Sequence, residues 1–344
     1  MSKTEKNPKS NADQVTTSDH KEYTDASLQS IQIAYGNGGV RGLLGSPYIL
    51  GAAWLASLGG FSFGYDQGVI SLILTMKQFH AQFPETAPDA PHYGFDVGFM
   101  TGMLELGAFI GCLFFPYLAD RISRKWGLSV ATVIFCLGAI IQTAADNYDT
   151  LVAGRFIGGI GVGTLAMGAP LYISEIAPPN LRGSLLVLEA ISIVIGAIVA
   201  YWVTYGTRDI TGDWAFRLPF TLQMVPAMAV GSMIHLFPYS PRWLAMRNRS
   251  QESLQALATL RRRPATDETV SLEWKGIVTE VRFQKELVKS QYGDSGAVMT
   301  ELKQWIAIFR PKYLRRTMVA TAIPFFQQAS SGPIFSKTAV LTQA

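Results

Sequence analysis

The chain has 344 residues, 49% of them hydrophobic and only 16% charged, and a formal net charge of +4. A soluble domain carries about 25% charged residues, so composition argues against one or two water-soluble globular domains. The pI near 9.0 would suit a nucleic-acid partner, but the placement of the basic residues gives a different reason, below.

Residues 1–46 are polar, with charges of both signs and no apolar core. They predict a disordered tail. No basic stretch leads into an apolar one, so no cleavable signal peptide is expected. Six strong apolar stretches follow, at Pro47–Leu74, Phe95–Leu118, Trp126–Ala144, Thr150–Ser174, Leu185–Gly206 and Phe216–Phe237. Each has about the 20 residues a helix needs to cross a ~30 Å hydrocarbon core. A seventh, weaker stretch at Thr317–Phe335 is interrupted by Pro324, Gln327, Gln328 and two serines. Between the sixth and seventh lies a soluble segment. There Leu254, Leu257 and Leu260 recur at threes, and Trp274, Ile277 and Val281 at three then four. These patterns predict two amphipathic helices, separated by Pro264. The domain reading is therefore a tail at 1–46, an all-α six-helix membrane bundle at 47–239, a cytosolic helical loop at 240–316 and a partial seventh span at 317–344.

If the tail is cytosolic, 24 of the 29 Lys and Arg residues fall on its side of the bundle, 15 of them between Arg242 and Arg316. The positive-inside rule then puts both tail and long loop in the cytosol. Membrane topology accounts for the basic excess, so no nucleic acid is expected. The sequon Asn248-Arg249-Ser250 falls on the cytosolic side and reads as chance. The two cysteines, Cys112 and Cys136, lie inside apolar stretches and report no oxidising compartment.

Asp66, deep in the first apolar span, and Arg155, near the start of the fourth, are the charges that call most for an explanation. A charge at the centre of a membrane helix costs on the order of 3 kcal/mol, so each needs a partner or a water-filled path. The simplest expectation is that they pair. A static brace is one reading of such a pair, and a proton switch the other. An arginine partner favours an ionised carboxylate while burial favours the neutral acid, so a balanced group can gain and lose a proton as solvent access alternates. Gly154, Gly158, Gly159, Gly161 and Gly163 of the fourth span precede no Lys-Ser/Thr and follow no strand, so close helix packing is expected of them, not phosphate binding. Three junctions, "LADRISRK", "YISEIAPPNLRGS" and "PYSPRWL", each place an arginine at a helix end, and the first two add Asp120 and Glu175, which suits a latch. The four histidines are scattered, and no nucleophile–base pair or metal-ligand cluster is visible. Neither an enzyme, a cofactor nor a metal is expected.

The ordered set "GGFSFGYDQGVIS", "DRISRK", "GRFIGGIGVG", "PLYISEIAPPNLRG", "SPRWL" and "FFQQ" resembles the sugar porter family of the major facilitator superfamily, across about residues 47–330. The loops look like those of fungal hexose transporters. The resemblance implies two six-helix bundles that rock about a sugar bound between them, in a multi-pass protein of the plasma membrane. It implies proton coupling by Asp66 and Arg155 and a cytosolic latch of Asp120, Arg121, Arg124, Glu175, Arg182 and Arg242. It also implies sugar contacts by Phe63, Gln327 and Gln328. The implied partners are a monosaccharide, protons, membrane lipids and a second bundle, from a C-terminal half or another porter chain. A non-transporting sugar sensor or regulatory half is the alternative.

The sequence departs from the family pattern in several places. Pro116 and Ser123 stand where glycines are usual, and Tyr239 replaces a latch acid. The usual helix-five glutamine falls on Ala190, with Glu189 just before it as an unusual acid, serving another substrate or facing another helix. After Gln328 the chain reads Ala329-Ser330-Ser331-Gly332-Pro333, and helices eight to twelve are expected to be missing.

Overall fold

The structure is a computed structural model that describes residues 47–292, 303, 305–311, 313–323 and 325–326. Those residues form helices and turns with no strand among them. In chain order, α1 is Pro47–Ile73, α2 Lys77–Gln82, α3 Tyr93–Ile122, α4 Arg124–Thr143, α5 Tyr148–Ile176 and α6 Arg182–Thr207. Then come α7 at Trp214–Leu222, α8 at Met224–Met233, α9 at Pro241–Met246, α10 at Ser250–Arg261 and α11 at Glu268–Tyr292. By length and composition α3, α4, α5 and α6 can each cross a membrane. The first predicted span folds as the single 27-residue helix α1. Asp66, Gln67 and its glycines and serines lower its apolar character.

The sixth predicted span is broken. Pro226 has no N–H to give the Leu222 carbonyl, and its ring crowds that turn. The helix is interrupted at Gln223, whose φ of −60° and ψ of −23° stay helical, so α7 and α8 continue along one path. The two predicted amphipathic helices are α10 and α11. Leu257 and Leu260 of α10 and Val270 and Val281 of α11 are buried, with Trp274 and Ile277 half-buried.

α5 is the central helix. In the membrane-length window 61% of its residues are buried, against 28% for α3 and 22% for α6. Glycines make that position possible. Gly154, Gly158 and Gly161 face α4, where an added Cβ would overlap Gln142, Gly138 or Phe135, and Gly159 and Gly163 face Leu104 and Ala108 of α3. The packing role expected of this stripe is what the structure contains. α1 meets α6 in the same way, with Gly64 against the Ile193 carbonyl and Gly68 against Ala197, while Gly196 of α6 lies over the Phe61 carbonyl. Backbones this close gain dispersion and weak Cα–H···O contacts, which drive helix association in lipid. The outer faces of α3 and α6 expose Phe95, Phe109, Phe114, Val187, Val194, Ile198 and Trp202. A band this apolar belongs against acyl chains or another helix, not water.

The α3–α4 junction stores backbone strain. Ser123 has φ 119° and ψ 162°, a region suited to glycine, and is buried. Its Oγ accepts a hydrogen bond from the Trp126 N–H at 3.3 Å and so caps α4.

Two outcomes follow from this packing. Ser123→Gly relieves strain of ~1–3 kcal/mol and loses only a few tenths in capping, so thermal unfolding in detergent should move up by roughly 1 kcal/mol; a lower stability would contradict the strain. Gly64→Ala should destabilise by about 1–3 kcal/mol, because the new methyl meets a backbone carbonyl. Gly206→Ala, where an added Cβ meets nothing within 4 Å, should leave the same unfolding curve unchanged or slightly raised.

Candidate functional site

Asp66 and Arg155 come together, as their sequence positions led us to expect. α1 carries Asp66 with no exposure and α5 carries Arg155 at 1%. Arg155 Nη1 lies 3.8 Å from Asp66 Oδ1, an ion-pair distance but beyond a hydrogen bond. The guanidinium is steered from a third helix, since its Nε donates to the Met100 carbonyl of α3 at 3.2 Å. Among the described residues neither Asp66 oxygen has a hydrogen-bond partner, and neither does Arg155 Nη1. Buried carboxylates are normally saturated by such bonds, so this pair is buried and loosely held.

Close by, Gln67 of α1 donates through Nε2 to Glu105 Oε1 of α3, an acid exposed on the bundle surface. Tyr65 turns its hydroxyl to the Pro219 carbonyl, 3.2 Å away. Phe63 is half-buried on α1 and packs against the main core cluster. Glu189 of α6 is buried and faces α1: a Cβ added to Gly60 would lie 2.6 Å from its Oε1. The contact with another helix that is one of the two readings of Glu189 is present. Gln327 and Gln328 lie outside the described residues.

The helix ends rich in basic residues hold a second constellation. Arg124 is buried and makes ion pairs to Asp120 Oδ1 at 2.8 Å and to Glu175 Oε1 at 2.9 Å. Its Nε also donates to Glu175 Oε1 at 3.1 Å, and its Nη1 to the Ala119 carbonyl at 3.2 Å. One guanidinium therefore ties the ends of α3, α4 and α5 together. The rest of the expected latch is differently arranged. Arg242 pairs with Glu280 of α11 at 3.0 Å and bonds Gln284, reaching neither Asp120 nor Glu175. Arg121 lies over the Tyr117 ring at 5.0 Å, and among the described residues neither it nor Arg182 forms an ion pair.

Three further contacts carry this end and were not singled out from sequence. Arg261 and Glu273 form a mostly buried pair at 2.7 Å, and Arg261 Nη1 donates to the Ile176 carbonyl at the C-terminus of α5. A cation there complements the helix dipole. Trp243 Nε1 donates to the Asp120 carbonyl at 3.0 Å. Lys125 Nζ donates to the carbonyls of Phe237 and His235 and lies 4.5 Å from the centre of the Tyr239 ring. Tyr239, which removes an acid from the family pattern, thus still holds a cation, by its π face. Arg261 belonged to a run read only as positive-inside anchoring, and the tyrosine gave no sign of its partner.

The architecture and motifs have counterparts. A family model described as "Sugar (and other) transporter" matches residues 52–335. A high-affinity glucose transporter of Kluyveromyces lactis is 33% identical over 282 residues, covering 82% of this chain and 47% of that protein. A high glucose sensor of Saccharomyces cerevisiae is 32% identical over 281 residues, covering 80% of this chain and 35% of the sensor. The solved major facilitator superfamily proton:xylose symporter XylE, bound to 6-bromo-6-deoxy-D-glucose, superposes with a TM-score of 0.63 at 26% identity, over 70% of this chain and 55% of that one. The chain spans about half the length of the curated relatives it matches. With most of its length matched by one family model and its helices superposing on that symporter, the chain belongs to the sugar transporter family of the major facilitator superfamily and is an integral, multi-pass membrane protein.

Proposed function

We propose that this six-helix bundle takes part in proton-coupled symport of a monosaccharide, a hexose first among candidates, by alternating access. The observation that carries the reading is the Asp66–Arg155 pair, buried on two helices with no hydrogen bond to the carboxylate. A static brace would need those bonds, because the cost of burying both ions exceeds what loose Coulomb attraction returns. A pair left unsaturated suits a group that must change protonation. With a proton on Asp66, Arg155 loses its counter-ion and the hold of α1 on α5 slackens. With the proton gone, the attraction returns and the two helices draw together.

On this reading Phe63 and Glu189, with Gln327 and Gln328, line the sugar path between this bundle and a second one. Further sequence or another porter chain supplies that second bundle. Arg124, Asp120 and Glu175 brace the cytosolic ends within the bundle. Arg121 and Arg182 engage groups that approach when the site closes, and Arg242 does so by exchanging Glu280 for one of them. Residues 47–239 are the membrane unit and 240–316 its cytosolic helical extension, in a protein of the plasma membrane with a cytosolic N-terminus. The second reading, a sugar sensor that binds without transport, is favoured by the sensor among the relatives.

Labelled hexose uptake into proteoliposomes separates them. The chain would be tested alone and together with a C-terminal six-helix bundle from a longer relative, with a proton gradient imposed. Proton-driven accumulation in either preparation supports symport, while saturable binding with neither accumulation nor exchange supports the sensor. Asp66→Asn should abolish accumulation and leave part of the sugar exchange. Accumulation that survives this change contradicts the proton role. Arg124→Ala leaves Glu175 buried without its cation and should cost roughly 3 kcal/mol in stability. It should also raise the reaction rate of a cysteine placed at the cytosolic end of α5 with water-soluble thiol probes. Unaltered labelling would contradict the brace.

A further inference from the structure

Glu105 is a carboxylate in an awkward place that neither the family motifs nor the pair itself accounts for. It lies roughly 18 Å along the helix from Tyr93, at ~1.5 Å per residue, well inside the apolar stretch of α3. Its side chain is exposed on the surface of the bundle. An acid at such a depth faces a water-filled path or a protein partner, not lipid. Its oxygen accepts a hydrogen bond from Gln67, the residue after Asp66. α3 therefore serves the pair twice, through the Met100 carbonyl that steers Arg155 and through Glu105 at the outer edge.

Asp66 has no exposure and no hydrogen-bond partner, so a proton must come to it by way of a neighbour. The charged and titratable groups around it are few. Arg155 of α5 does not release its proton. Tyr65 commits its hydroxyl to a backbone carbonyl. Glu189 of α6 faces α1 at Gly60, about two turns from Asp66. The only charged residues of α4 are Arg124 and Lys125, in its first turn. Glu105 alone among these is both exposed and bonded to the residue next to Asp66.

We infer that Glu105 is the proton's way-station, loading from water on the open side of the bundle and passing the proton on to Asp66. The Glu105 carboxylate takes a proton from water and becomes the neutral acid. Its O–H bond then breaks as one forms on Asp66, and Glu105 returns to the carboxylate with no change in total charge. Gln67 holds Glu105 in place. The inference rests on the proton-coupled reading above and adds a second acid to it.

The test uses the preparation that accumulates sugar and compares Glu105→Gln, Glu105→Asp and Asp66→Asn. Glu105→Gln should lower the rate of proton-driven accumulation ~100-fold, the low side of what a positioned proton donor contributes, while sugar exchange without a gradient stays near that of the unmodified chain. Glu105→Asp should recover most of the loss. Added formate or azide, small acids that reach an exposed site, should partly restore Glu105→Gln and leave Asp66→Asn inactive. Full accumulation in Glu105→Gln overturns the relay alone, provided Asp66→Asn loses it. Equal loss of exchange and accumulation, with no recovery by aspartate or formate, assigns Glu105 a structural role and also overturns it. No proton-driven accumulation by the unmodified protein overturns the symport reading and the relay together. If Glu105→Gln does not insert, Gln67→Met removes the positioning donor and should slow accumulation with exchange intact; unchanged accumulation there counts against the relay.

Discussion

A guanidinium and a carboxylate, buried on different helices and 3.8 Å apart, set the terms for the rest of this bundle. Two such ions in a dry interior are tolerable only where helices approach closely enough to hold them in register. Glycine supplies that approach. The stripe on α5 lets α3 and α4 close on either side, which brings the Met100 carbonyl to Arg155. The stripe on α1 seats α6 behind Asp66. Larger residues at these positions would separate the helices and leave each charge alone in a low-dielectric interior.

The two ionic constellations are built to opposite standards. Arg124 at the basic end meets two acids and a carbonyl between 2.8 and 3.2 Å, and only Glu175 Oε2 of that group is left buried without a hydrogen bond. The pair in the middle of the bundle leaves three polar atoms without hydrogen bonds. Fuller satisfaction makes a more rigid joint, and sparse satisfaction leaves two arrangements close in energy. That contrast fits a body that turns as a unit about its braced ends while its centre changes charge, which is how repeat bundles rock about a central site. α9, α10 and α11 extend the brace, because Trp243 and Arg261 bond backbone carbonyls at the ends of α3 and α5.

Much of this was legible in the sequence, for physical reasons. A charge in an apolar span must find a partner, so Asp66 and Arg155 announced each other across 88 intervening residues. Leucines at threes announced α10, and small residues announced the faces of α5. What stayed hidden depended on which groups meet in space. The sixth span kept its length, but Pro226 broke its hydrogen-bond ladder. Arg242 looked like a member of the central latch and pairs instead with Glu280, which belongs to a helix whose docking no local pattern encodes. Tyr239 looked like a lost contact and is a cation-π one. Glu105 passed unnoticed because an isolated acid in mid-helix carries no motif; only its bond to Gln67 gives it a place. Sugar contacts at Gln327 and Gln328 rest on the family pattern, since both lie outside the described residues.

The account turns on whether the proton that Asp66 takes up travels with the sugar. The direct measurement is the pH change of a weakly buffered vesicle suspension when sugar is added with no gradient imposed, in the unmodified protein and in Asp66→Asn. The account predicts alkalinisation outside that tracks sugar entry, and sugar entry without alkalinisation in Asp66→Asn. The same alkalinisation in both, or none in either while sugar enters, would contradict it.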